Sequence, residues 1–91
     1  MGDEQRGARL DPGSALRAGF ALSELTLEAL WIDYFAFGGF LTPQELADAL
    51  RGERPLTRLD HDRVAAGLNE HFDARGLGQP VPYSAQLDDH R

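Results

Sequence analysis

The chain has 91 residues, with 15 acidic side chains, 9 basic ones, no cysteine and a net charge of −6. One domain is the most this length supports, since domains span about 50–200 residues. A chain without cysteine has no disulfide framework, no thiolate nucleophile and no Cys-ligated metal centre. No apolar run approaches the ~20 residues of a transmembrane helix. The segment Met1 to Arg6 lacks the basic and apolar regions of a signal peptide. Together these features point to the cytoplasm. Every basic residue is arginine and lysine is absent, as a GC-rich coding sequence produces, so a bacterial setting is expected.

Between Ser23 and Tyr83 there are ten acids and five arginines. A nucleic-acid duplex repels such a surface unless its few cations gather on one face, so nucleic acid is not the expected partner.

Residues 1–22 contain four glycines and an Asp11-Pro12-Gly13-Ser14 turn. Asp11 can cap a short helix with Pro12 at its first position, and Leu16 and Phe20 then share a face. Each glycine inside a helix costs about 1 kcal/mol. The segment therefore reads as flexible or partly helical, with one helical turn docking through Phe20.

Over residues 25–37, Leu27, Leu30, Trp31, Tyr34 and Phe35 recur at helical spacing, which predicts an amphipathic helix with these aromatics in the core. Ser23 or Thr26 can cap its start. Gly38-Gly39 ends it, and with Gly39 at the left-handed position Phe40 falls where it can touch Phe35.

Thr42-Pro43-Gln44-Glu45 has the pattern of a capping box, with proline at the first helical position and Leu41 and Leu46 placed as a hydrophobic staple. Leu46, Ala47 and Leu50 form the expected buried stripe, and Gly52 stops the helix. A third helix follows from about Asp60 to Arg75, with Asp60 as its cap and Val64, Ala65, Leu68 and Phe72 inward. Gly76 closes it, and Leu77 can fold back onto Phe72. In Gln79-Pro80-Val81-Pro82-Tyr83 the two prolines enforce an extended path, which brings Val81 and Tyr83 across the bundle. Residues 84–91 read as a frayed tail.

The fold expected is all-α: a small bundle of three main helices over residues 23–83, with room for a fourth short N-terminal helix and with an extended C-terminal segment.

Catalytic and metal-binding patterns are not evident. His61 and His71 lie ten residues apart, about three helical turns, and cannot share a metal. Adjacent residues such as Asp60, His61 and Asp62 diverge by about 100° around a helix. Glu28 and Asp33 point apart by about 140° and are no carboxylate pair. There is no nucleophile elbow, phosphate loop or dinucleotide fingerprint. Neither an enzyme nor a cofactor is expected.

The 25–37 helix carries a second apolar stripe, Leu25, Ala29, Ile32 and Ala36, at the 4-3-4 spacing of a helix-pair seam. One helix in a three-helix domain needs one apolar face, so the second calls for cover. The N-terminal segment, with Leu16 and Phe20, can supply it. So can a second copy, giving a homodimer, or another protein. Gly67 in the third helix fits a close backbone approach.

The order of elements, with the phrase Leu41-Thr42-Pro43-Gln44-Glu45-Leu46-Ala47, resembles a winged helix-turn-helix domain over residues 25–83. That resemblance implies a DNA-binding regulator, whose cations here are Arg51, Arg54, Arg58 and Arg63. Two features depart from it: a turn of about eight residues where the compact motif has three or four, and a net-negative exposed face on the would-be recognition helix. The leading expectation is thus a regulatory protein-interaction module acting through Leu25, Ala29, Ile32 and Ala36, with the DNA-binding regulator as the alternative.

Overall fold

A computed structural model describes residues 12–88, with side chains over 13–87. Five helices follow in order: α1 Pro12–Ser23, α2 Leu27–Ala36, α3 Pro43–Leu50, α4 Arg58–Ala74 and α5 Ser84–Asp88. No strand occurs among the described residues, so the all-helical bundle is confirmed and the resemblance to a winged domain finds no wing.

Local chemistry sets the helix ends. The Thr26 hydroxyl accepts the Ala29 amide at 3.1 Å and starts α2. At its other end the Gly38 amide donates to the Phe35 carbonyl at 2.9 Å and the Gly39 amide to that of Tyr34 at 3.2 Å. This Schellman ending places Gly38, at φ +97°, in the left-handed position. The register is one residue earlier than the sequence predicts, which leaves Phe40 outside the motif.

The Thr42 capping box forms in full, with its two bonds at 3.1 and 2.9 Å. Leu46 is buried, and Leu41 packs against the same core. The buried stripe of α3 uses Ala49 where Ala47 was expected; Ala47 is half-buried. Helix α4 begins two residues before Asp60, because the Thr57 hydroxyl accepts the Asp60 amide at 3.0 Å and is the true cap.

Helices flank the central three within the described residues on both sides. Helix α1 is a twelve-residue element with Leu16 fully buried, so the domain extends well ahead of residue 23. The second of its two glycines has a packing reason: a Cβ on Gly19 would come within 2.7 Å of Val81 Cγ2. The cap expected at Asp11, like everything in 1–11, lies outside the described residues. Beyond Tyr83, the Asp62 carboxylate accepts the Ser84 amide at 2.7 Å and its hydroxyl at 3.0 Å. That anchor starts α5 where a frayed tail was expected.

Helices α1 and α2 each pack on both α3 and α4, and α5 packs on α4. The core comprises Leu16, Leu30, Tyr34, Leu46, Leu50, Val64, Ala65, Leu68, Phe72 and Val81. A buried leucine contributes about 1.5–3 kcal/mol through surface withdrawn from water. Tyr34, late in α2, bonds Asp60 in the first turn of α4, while Leu30, one turn earlier in α2, meets Gly67 further along α4, so α2 and α4 run antiparallel. At their crossing a Cβ on Gly67 would lie 3.1 Å from Asp33 Cβ. The close approach expected at Gly67 is therefore made within the chain. The extended segment crosses the bundle as predicted, with Val81 buried and Tyr83 half-buried.

Candidate functional site: the outward face of α2

Helix α2 buries Leu30 and Tyr34. Of the four residues predicted to form its second stripe, Leu25 is half-buried and packs against the core, and Ala29 is half-buried. Ile32 and Ala36 are exposed. The N-terminal helix, one of the three covers the sequence allows, packs chiefly on α3 and α4 and leaves Ile32 and Ala36 exposed.

The open surface is larger than that stripe, and aromatic. Seven large apolar side chains are exposed among the described residues, and four of them, Ile32, Phe35, Phe37 and Phe40, fall within nine positions. Phe35 is 56% exposed and Phe40 86%, although sequence spacing places Phe35 in the core. Scattered single apolar residues are normal on a surface, whereas these four are gathered along one short stretch of chain.

This surface is held rigidly from beneath. Phe35 stacks on Trp31, with ring centroids 5.2 Å apart. The Trp31 indole N–H in turn donates to the Leu41 carbonyl at 2.7 Å. The Tyr34 hydroxyl accepts the amides of Phe40 and Leu41 at 3.1 and 3.0 Å and donates to Asp60. Burial away from water raises the Tyr34 pKa, and its bond to Asp60 raises it further. The loop after α2 is thereby fixed to the core while its side chains face outward.

The stretch of chain that carries this face is acidic. From residue 18 to residue 50 the chain holds five acids, Glu24, Glu28, Asp33, Glu45 and Asp48, and no arginine or histidine. That asymmetry was legible in the sequence, as was the run of phenylalanines at 35, 37 and 40. The first was hidden by averaging charge over the whole domain, and the second by assigning every helix-spaced aromatic to the core.

The four arginines of the DNA-binding alternative do not form one open basic face. Arg51 pairs with Asp48 and with Glu53, Arg54 with Glu45 at 3.1 Å, and Arg63 with Asp60 at 3.2 Å. Arg58 is exposed at the start of α4.

Elsewhere the polar groups serve the fold. His61 Nε2–H donates to the Pro82 carbonyl and His71 Nε2–H to that of Ser23, each at 3.0 Å. No group of three His, Asp or Glu side chains among the described residues is placed to hold a metal. A shallow groove of about 330 Å³ lies among Arg17, Phe20, Leu27, Ala47, Leu50 and Arg51. Its guanidiniums are engaged, that of Arg17 by the Leu50 carbonyl at 2.7 Å and that of Arg51 by its two carboxylates. No helix among the described residues is long and apolar enough to cross a membrane. Comparison with protein-family models, curated proteins and solved structures finds no match to this chain.

Proposed function

We propose that the chain is a protein-interaction module, regulatory rather than catalytic, that docks another protein on the outward face of α2 in the bacterial cytoplasm. One observation carries this reading: Ile32, Phe35, Phe37 and Phe40 are exposed together on a helix and loop held firmly to the core. Leaving that much apolar surface in water is unfavourable by about 25 cal/mol per Å², and a partner recovers it. Leu25 and Ala29 form the half-buried margin of the contact, Ile32 and Ala36 its open centre. The alternative of a winged-helix-like regulator gripping DNA through Arg51, Arg54, Arg58 and Arg63 draws less support, because three of those guanidiniums are already held by carboxylates.

The test is site-specific photocrosslinking in cells. Replacing Phe35 with benzoylphenylalanine is expected to give discrete adducts to a second protein, and Ile32→Asp in the same chain removes them. The same probe at exposed Ala85 on α5 gives none. Absence of adducts from position 35, or one pattern from both positions, overturns the proposal.

A further inference from the structure

We infer that residues 81–88 form a detachable strap, and that the cleft they fill between α1 and α4 also accepts the strap of a second copy. Reciprocal exchange then joins two chains, an association independent of the face on α2. Three observations carry it. First, the lock on the strap is complete in itself. Val81 is buried in the notch left by Gly19 on α1, with Leu68 beside it. Asn69 holds both its amide and its carbonyl, His61 Nε2–H the Pro82 carbonyl, and Asp62 the Ser84 amide and hydroxyl. All five bonds run between α4 and residues 81–84, and none involves the connector that precedes them. A strap arriving from another chain meets the same partners in the same places.

The second observation is the connector. Residues 76–80 are exposed throughout, and a Cβ on Gly76 or Gly78 meets nothing within 4 Å. The Leu77 amide donates to the Phe72 carbonyl at 2.9 Å as the ending of α4. Both glycines are left-handed, at φ +77° and +76°, and glycine leaves that conformation freely. The third is a flaw in the fit. His61 is 2% exposed, and its Nδ1 is buried with no hydrogen-bond partner. A polar atom stranded in this way favours any opening that admits water, and the strap lies against that ring at Pro82.

Closure within one chain and closure between two use the same contacts, so the connector decides between them. Leu77 to Pro80 keep the strap at an effective concentration of about millimolar, and the closed monomer prevails in dilute solution. Asn69 precedes Gly76 by seven residues, ~10 Å back along α4. Deleting Gly78 and Gln79 leaves three Cα steps, at most ~11 Å, to cover that return and also reverse direction. Only a second copy then satisfies the cleft.

The experiment uses the full chain, which has no cysteine of its own, carrying Gly19→Cys and Val81→Cys, with and without that deletion. A Cβ at position 19 stands 3.8 Å from that of Val81, within the ~3.5–4.5 Å of a disulfide. With the full connector, oxidation at micromolar concentration gives a 19–81 bridge inside one chain, and the mass is that of a monomer. With the short connector the bridge is expected between chains, doubling the mass of most of the product. Adding Asn69→Leu to the short-connector chain removes that dimer.

A short-connector protein that stays helical and bridges within itself, or forms no bridge, overturns the exchange. So does a dimer that Asn69→Leu leaves intact. Where the short-connector protein loses its helicity, the full connector decides. Chains carrying Gly19→Cys alone and Val81→Cys alone, mixed at millimolar concentration and oxidised, are expected to give a heterodimer linked 19–81. Linkage only between like positions, or none, overturns the proposal.

Discussion

The Tyr34 hydroxyl donates to the Asp60 carboxylate at 3.0 Å, joining α2 to the first turn of α4 across 26 residues of sequence. The same oxygen accepts the amides of Phe40 and Leu41, so one buried side chain ties two helices and the loop between α2 and α3. Tyr34→Phe keeps the ring and removes all three bonds. The expected loss is about 2–3 kcal/mol, since a polar group left unpaired on burial forfeits about 1–3 kcal/mol. Urea unfolding measures it. The raised Tyr34 pKa adds an alkaline signature. The neutral phenol is favoured in the folded state, so its stabilisation is present below about pH 10 and lost as pH rises through the folded pKa. In Tyr34→Phe that alkaline contribution is absent.

Asn69 clamps Val81 from both sides, donating to its carbonyl at 2.8 Å and accepting its amide at 2.9 Å. Asn69→Leu strands both backbone groups in the interior and is expected to cost about 2–4 kcal/mol. Protease cleavage within residues 76–80 accelerates in the variant. Asn69→Asp keeps only the accepting bond and sets a buried carboxylate oxygen against the Val81 carbonyl, so its urea midpoint also falls below that of the unaltered protein.

The capping box at Thr42 has a pH dependence of opposite sign. Glu45 accepts the Thr42 amide and pairs with Arg54, and both hold its pKa below the usual carboxylate value. Its stabilisation is present above the unfolded value, near 4.3, and is lost as pH falls through the folded one. Glu45→Gln removes that part of the acid sensitivity while keeping a box-competent side chain. Thr42→Ala removes the other half of the box and costs about 1 kcal/mol at neutral pH. Acid titrations of ellipticity on the three proteins check the order.

Two glycines separate crowding from backbone strain. A Cβ on Gly39 would lie 2.1–2.4 Å from ring atoms of Tyr34, so Gly39→Ala displaces the ring and breaks its three bonds, at about 3 kcal/mol. A Cβ on Gly76 meets nothing within 4 Å, and only its φ of +77° opposes a side chain. Gly76→Ala is expected to cost about 1 kcal/mol. Urea midpoints of the two variants test the ranking.

What the sequence discloses is mostly local. Thr42-Pro43-Gln44-Glu45, the terminating glycines 52 and 76, and the inward run Val64, Ala65, Leu68 and Phe72 act within a few residues of themselves, and the structure has them as read. The start of α4 was legible too. Thr57 and Asp60 are both capping types, and the earlier one wins because its hydroxyl reaches the later one's amide. The length of α1 was not legible. Gly19 is unfavourable for an isolated helix and is required by the approach of Val81, 62 residues away. Nor does spacing reveal that Phe35 turns outward: its periodicity suits the core as well as Tyr34's does, and only the place of α3 and α4 beneath α2 decides between them.

The crossing of Val81 between Gly19 and Asn69 bears on how the protein is made. Helices α1 to α4 precede residue 81 in the chain, so all four leave the ribosome before the residue that fills the gap between α1 and α4. Until it arrives, the Gly19 side of α1 has Leu68 beside it but not the side chain that packs closest to it. A nascent chain stalled short of Val81 therefore lacks both the packing at Gly19 and the pair of bonds at Asn69.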